Sequence, residues 1–451
     1  MARWRLAVVV GATLALGGAT TVGVWSMAAG ARPGFDLAAP ADGLQLFHAS
    51  PVLVRAGEPV QIPVDVVCVT GEAAPCSAAV TVRAAPRGVA WMRATAISNG
   101  PPVSFDLAGV SALAVDHAAE GSVSYVLEAD DELGRQAMVP ERGTDAPLAF
   151  YVTRDLPVLA ISRADAGPPP RSEEVLALPW GTGTLRAGLA PGVEALTIGP
   201  SSFDVDAAGR VHLLDQLQGR IAVFGPDGLI REVPVSASPE ASVVVDGQGR
   251  TSVVDRARGW VAVSRFDASG RAVDSDLLGM GIPGRVATAG EATFVQMFPG
   301  GAWARLGEGQ SGTSTGRPVA DGRALIALAR PRSIRVAAVD QGHVTNAVEV
   351  VPGDQEVSFG ELALAEVAGD RYVLVVRTIR SGAGDPIARF RVIGIEDANL
   401  AWSFQVMAED VIDVRPLSRF RLGRDGHLYQ LIGSPDGLRI VRFDLPEEAS
   451  S

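Results

Sequence analysis

The sequence predicts an all-β protein: a small β-sandwich, then a six-bladed β-propeller closed by strands from its two ends, behind an N-terminal apolar helix. Three observations predict it. FDVDAAGRVHLLD (Phe203 to Asp215) returns forty residues later as VVVDGQGRTSVVD (Val243 to Asp255). The 451 residues include 51 glycines and 30 prolines and are 47% hydrophobic, which suits short strands joined by tight turns. After the first thirty-one residues no stretch sustains a 3.6-residue apolar period, which disfavours helical solenoids.

Residues 1–31 read as an export segment. Arg3 and Arg5 form a short basic start, and Leu6 to Ala31 carries no charge. Ala29-Gly30-Ala31 suits a signal-peptide cleavage site, yet the uncharged run is also long enough to cross a bilayer of about 30 Å as a helix. A cleaved signal and an uncleaved anchor both fit, and either puts the body of the protein outside the cytoplasm: periplasmic, on the cell surface or secreted. Membrane contact is expected through this segment alone.

A linker at 32–43 leads to the expected sandwich, 44–163. LQLFHA, PVQIPVDVVCV, SAAVTVRA, VSFDLAG, GSVSYVLEADD and LAFYVT are short alternating runs separated by turn residues. The only cysteines, Cys68 and Cys76, flank a Gly-Glu-Ala-Ala-Pro turn. A hairpin there would bring them together, and in an oxidising compartment a disulfide is the natural reading. Reactive thiols are the alternative. A second linker at 164–172 contains three consecutive prolines and is expected to act as a semi-rigid spacer.

The repeat occupies 173–446, before a tail at 447–451. In DAAG and DGQG the aspartate accepts a backbone hydrogen bond and the glycine supplies φ > 0, the chemistry of a tight hairpin turn. Equivalent glycines stand at 209, 249, 290, 322, 369 and 426. A four-stranded unit at about 40-residue spacing is the signature of a propeller blade, because one blade cannot bury both of its faces alone. The last unit runs out of chain before its fourth strand. The missing strand is expected from EEVLALPWG (Glu173 to Gly181) or EALTIGP (Glu194 to Pro200), paired antiparallel near Leu438 to Leu445.

SSFDVDAAGRVHLLDQLQGRIAVFGPDG resembles the NHL-type and related six-bladed propellers, and YVLEADDELGRQAMVPERGTDAPLAFYV resembles the last hairpin of bacterial immunoglobulin-like or fibronectin-like modules. Some NHL-type enzymes build catalysis on metal-linked histidines at the central channel, so His212 and His427 are the pair to compare. The resemblance implies a binding platform or a lyase-like or hydrolase-like enzyme.

Charge and motifs narrow the chemistry. All 39 basic residues are arginine, which removes P-loop lysines and Schiff bases. A net charge of −12 argues against nucleic acid. Asp204, Asp206, Gly209 and Asp215 fall at calcium-loop spacing but lack the fifth-position ligand, and turn chemistry explains Asp206. GTSTG (Gly312 to Gly316) and GMGIPG (Gly279 to Gly284) lack the strand–helix context that a nucleophile elbow or a dinucleotide loop requires. Arg210, Arg250 and Arg323 each follow a turn glycine, as an anion-holding ring or as solubilising strand ends. The sequence therefore designates no catalytic, cofactor or metal residues. It points to an exported, monomeric binding protein with an envelope protein, peptide or glycan as ligand, or to an enzyme at the channel mouth. Convergence of three or more acid, His or Arg side chains at one end of the channel would mark a site.

Overall fold

A computed structural model describes residues 43–48, 53–58, 64–69, 76–84, 90–98, 121–131, 134–139, 148–191, 197–257, 260–280, 282–298, 302–306, 313–314, 316–330, 332–380, 387–406 and 418–446. The export segment and the VSFDLAG run lie outside them. Apart from one 3-10 turn at Arg163–Asp165, every regular element among the described residues is a strand.

The N-terminal module contains two sheets. Gly43–His48 pairs with Val64–Val69, and a larger sheet runs Leu53–Arg55, Leu148–Thr153, Gly121–Asp131, Cys76–Ala84, Ala90–Ser98, with Gln136–Val139 also on Gly121–Asp131. Its centre buries Leu53, Tyr125, Leu127 and Phe150, and the Tyr125 and Phe150 rings lie 5.7 Å apart. The expected hairpin between the cysteines is not formed. Cys68 lies opposite Leu44 in one sheet and Cys76 opposite Ser98 in the other. Both edges of Cys76–Ala84 are taken, by Ala90–Ser98 and by Gly121–Asp131, so Val64–Val69 pairs elsewhere.

Among the described residues six sheets follow in chain order, built mainly on antiparallel pairs. The first is Ser202–Val205, Val211–Asp215, Arg220–Gly225 and Gly228–Pro234, and the second Ser242–Val245, Thr251–Ala257, Trp260–Phe266 and Ala272–Met280. The third is Ile282–Ala289, Ala292–Phe298, Ala302–Arg305 and Thr313–Ser314, and the fourth Arg317–Pro318, Ala324–Arg330, Ser333–Asp340 and His343–Pro352. The fifth is Val357–Ala368, Arg371–Arg380, Ile387–Glu396 and Asn399–Val406. Among the described residues the sixth takes Phe420–Leu422, Leu428–Ser434 and Gly437–Phe443 from the C-terminal end. All six turn glycines fall between the first and second strands of successive sheets, with φ from 60° to 88°.

The sheets are apolar on both faces and bury them against one another. Separate apolar layers lie between the first and second sheets (Leu214, Val243), second and third (Val244, Val286), fourth and fifth (Ile334, Leu374), fifth and sixth (Phe404, Phe420), and sixth and first (Leu431, Phe203). Inner strands touch in turn: Ser202–Val205, Ser242–Val245, Ile282–Ala289, Arg317–Pro318. From Ala324–Arg330 the contact passes to Val357–Ala368, to Phe420–Leu422 and back to Ser202–Val205. A sheet order that returns to its start through a shared core is a β-propeller.

The ring closes as the sequence predicts. Ser172–Pro179 supplies the fourth strand of the last sheet, antiparallel to Gly437–Phe443, with Ser172 opposite Phe443 and Pro179 opposite Gly437. Leu176 and Leu178 enter the core shared by the sixth and first sheets. Of the other candidate stretch, Thr197–Ile198 pairs with Ala190–Pro191 instead.

The chain leading from the N-terminal sheets into the ring is held against the fourth and fifth sheets. Val158–Ile161 adds to the fourth sheet as a parallel fifth strand beside Glu349–Pro352. Beyond it, Gly167 N donates to Ser403 O at 2.8 Å, Ser403 Oγ to Asp165 O at 2.7 Å, and Arg391 Nη1 to Ser162 O at 2.7 Å. Three prolines stiffen a segment, but unpaired sheet edges and buried donors beside it decide where it lies.

Candidate functional site

The turn arginines resolve first. Arg210 Nε donates to Asp206 Oδ2 at 2.7 Å and Arg250 Nε to Asp246 Oδ2 at 2.6 Å. Each aspartate's other oxygen accepts two backbone N–H groups of the turn, from Ala208 and Arg210 or from Gln248 and Arg250. The same Asp-x-x-Gly-Arg clasp forms at Asp267–Arg271 and Asp131–Arg135. Arg323 pairs with Asp321. These arginines are strand-end clasps, each occupied by its own turn.

The calcium-spaced carboxylates have three separate tasks. Asp204 accepts from Val245 N at 2.7 Å and so bridges to the second sheet. Asp206 holds its turn. Asp215, at the far end of its strand, accepts from Gly188 N at 3.1 Å and Gln218 Nε2 at 2.7 Å. Among the described residues no group of three or more metal-ligating side chains is gathered. GMGIPG spans the passage from Ala272–Met280 into Ile282–Ala289, strand to strand. In GTSTG, Thr313–Ser314 is an outer strand, and part of the motif lies outside the described residues.

His212 and His427 do not meet. His212 is fully buried, with Nε2 at 3.3 Å from Asp206 Oδ2 and Nδ1 at 3.3 Å from Thr251 Oγ1. It ties the first sheet to the second. Burial would raise the Asp206 carboxyl, but the contacts from His212 and Arg210 outweigh it and hold the group well below the usual carboxylate range. His427 lies on the sixth sheet with its nitrogens at 3.4 Å from Asp425 and Asp444.

What sequence reading missed is the axis. The inner strands turn their free edges toward it, and unpaired edge carbonyls there need donors. Arg421 supplies them from the sixth sheet: Nε to Phe203 O at 3.0 Å, Nη2 to Val243 O at 3.4 Å and Nη1 to Val286 O at 3.5 Å. One guanidinium thus touches the inner strands of the first, second and third sheets. Arg424 reaches Val245 O at 3.1 Å, Gly290 O at 3.2 Å and Thr288 Oγ1 at 2.6 Å. Arg285, on the third sheet, crosses to Leu362 O on the fifth at 2.7 Å. Arg317 pairs in parallel with Glu366, its Nη1 at 2.6 Å from Oε1.

A positional signal for this set exists. The fifth residue before each turn glycine is Asp204, Val244, Arg285, Arg317, Leu364 and Arg421 in chain order. Charged residues in a mid-strand position of an inner strand are expensive unless they face water or a partner. The channel therefore holds the convergence that marks a site, and it is a convergence of arginines.

No family model matches the chain, and no curated protein does. Solved structures do resemble it. A catalytically inactive virginiamycin B lyase from Staphylococcus aureus with quinupristin is 11% identical, over 57% of this chain and 99% of that one, with a TM-score of 0.36. A gluconolactonase from Xanthomonas campestris is 14% identical, over 60% and 99%, with a TM-score of 0.25. TolB from Acinetobacter baumannii is 10% identical, over 79% and 82%, with a TM-score of 0.26. Likenesses this distant decide nothing about the chain. The fold rests on its strand order, shared cores and closure.

Proposed function

We propose that the chain is an exported binding protein, an immunoglobulin-like module joined to a six-bladed propeller of NHL-like type, whose channel and faces hold a ligand or partner in the cell envelope. One observation carries the reading: guanidinium groups predominate among the side chains converging on the axis, and Glu366 there is committed to Arg317. Arginine stays charged throughout the physiological range, so it holds and orients anions but does not exchange protons as a general acid or base must. The buried acid nearest them, Asp204, spends its oxygens on Val245 N and Val205 N. The uncharged run at Leu6 to Ala31 supports export, and its cleavage or retention decides whether the protein is tethered.

The test is reversible crosslinking in the envelope of a producing cell, followed by purification of the tagged full-length chain. A single envelope component recovered in near-equal amount supports the reading. A chain that is purified alone from every fraction overturns it.

A further inference from the structure

Arg285 is the axial arginine with the most donors to spare. Its Nη2 bonds to Leu362 O, while its Nε and Nη1 have no hydrogen-bond partner among the described residues. The side chain is solvent-exposed although it reaches across the axis from the third sheet to the fifth. A side chain that spans the inner strands of two sheets and still meets solvent stands in the channel inside the ring. Arg421 is spent on carbonyls, Arg424 gives Nε and Nη2 to carbonyls and Thr288 Oγ1, and Arg317 gives both terminal nitrogens to Glu366 and leaves only Nε unpartnered.

The charges facing Arg285 do not balance. Arg317, Arg421 and Arg424 share the axis with it, against Glu361, Glu366 and Asp204. Glu366 belongs to Arg317. Glu361, on the fifth sheet's inner strand, forms no ion pair within 4.0 Å among the described residues. Burial pushes the Asp204 carboxyl up toward its neutral form, against the pull of Arg421 and Val245 N. Burial presses the Arg285 pKa down; Glu361 opposes this, and the like charges of Arg317 and Arg421 add to it. A net-acidic protein that concentrates guanidinium groups on its axis leaves them short of local counter-charge.

We infer that the channel binds one small oxyanion, an inorganic phosphate or sulfate or the carboxylate of a small acid, on the free edge of the Arg285 guanidinium. Nη2 carries two N–H groups and gives one to Leu362 O, so its other N–H stays parallel to one on Nε or on Nη1, the geometry that matches two oxygens of one anion. Arg317 and Arg421 supply the surrounding positive field without giving up their own bonds. Glu361 sets the limit on ligand charge and disfavours large polyanions. This inference rests on the reading of the protein as a binder and specifies one ligand of that binder.

The test uses the purified full-length protein at constant ionic strength, with sodium chloride replaced stepwise by phosphate, sulfate or succinate. Binding to the folded state alone raises the melting temperature by mass action. The parent should gain a few degrees at millimolar oxyanion over chloride. Arg285→Gln should lose the gain, and Arg250→Gln, a clasp on its own Asp246, should keep it. A response to phosphate and sulfate alone identifies an inorganic anion, and a response to succinate alone identifies a carboxylate ligand. Equal gains in parent and Arg285→Gln, or no gain over chloride in the parent, overturn the inference. Should Arg285→Gln fail to fold, equilibrium dialysis of the parent decides: one oxyanion bound per chain supports it, and none overturns it. A parent that recovers its envelope component but ignores oxyanions loses this inference and keeps the broader reading.

Discussion

The carboxylate of Asp206 and that of Asp267 sit in the same five-residue clasp, yet they should not matter equally. Both accept the same two backbone N–H groups and the same arginine Nε. Asp206 is only 3% exposed and also carries His212, whose ring is buried against the second sheet. Asp267 stands at the surface, where water replaces what is lost. Removing a charge-assisted bond from a buried group costs about 2 kcal/mol, whereas a solvated turn loses little. Asp206→Asn should therefore lower the urea midpoint clearly, and Asp267→Asn should leave it near the parent's. Equal midpoints would mean that the buried chain through His212 to Thr251 adds nothing. The sequence shows each clasp plainly, as Asp-x-x-Gly-Arg, but not its depth, because depth depends on which sheet lies opposite. The axial arginines were hidden for a similar reason. Arg285, Arg317 and Arg421 share a repeat position, but only the ring shows that this position faces a common space.

Among elements, the best-read feature is the closing strand. A unit that lacks its fourth strand exposes unpaired backbone, and the alternation in SEEVLALP marks a strand without a partner. Ser172–Pro179 takes that place, with Arg442 on Glu173 reinforcing the pairing at the surface. Deleting Leu438 to Ser451 should lower the melting temperature of the whole ring and not merely fray its end. Gly437→Ala tests the same contact without truncation: a Cβ there would lie 2.1 Å from Leu178 O, so the strands must part. A single-step melt at the parent temperature for both variants would show that closure contributes nothing. Period-two patterning reveals strands, not partners, so Val158–Ile161 gave no sign that it joins the fourth sheet in parallel. The fifth sheet was faint because register shifts between Phe359 and Leu364 displace its repeat residues. The cysteines carry a further expectation, now between two sheets instead of across one hairpin. Protein recovered outside the cytoplasm should show no reactive thiol at Cys68 or Cys76 until it is reduced. Free thiols in a cytosolic pool would defeat export and bridge together.

For the whole molecule, the question is whether two modules behave as one. Arg335 of the fourth sheet is only 3% exposed and donates to Glu58 of the N-terminal module at 2.6 and 2.9 Å, and to Glu349 at 3.1 Å. Arg330 reaches the same Glu58 at 3.2 Å, and Leu53 and Leu156 pack on Ile326 and Val339 beside it. Burial would raise the Glu58 carboxyl, but the bonds and charge of Arg335, the Arg55 N–H and Arg330 bring it from 4.5 down to about 2. A depressed folded pKa places its stabilisation above the unfolded value, and that stabilisation is lost as pH falls through the folded one. Docking should hold at neutral pH and weaken between pH 4.5 and about 2. Glu58 keeps some solvent contact, so screening trims the size of the effect but not its direction. Removing one partner from a mostly buried ion pair leaves the others unpaired and is costly. At neutral pH the parent should melt in one transition followed alike by near-ultraviolet dichroism and calorimetry, because the added strand and the clamp tie module to ring. Arg335→Met should split that transition in two, leaving the ring closed through Ser172–Pro179 while the N-terminal module melts first. Glu58→Gln should reproduce at pH 7 what the parent shows only in acid, and should flatten the acid slope. Two transitions in the parent at neutral pH, or one unsplit transition in Arg335→Met, would mean that the modules merely touch.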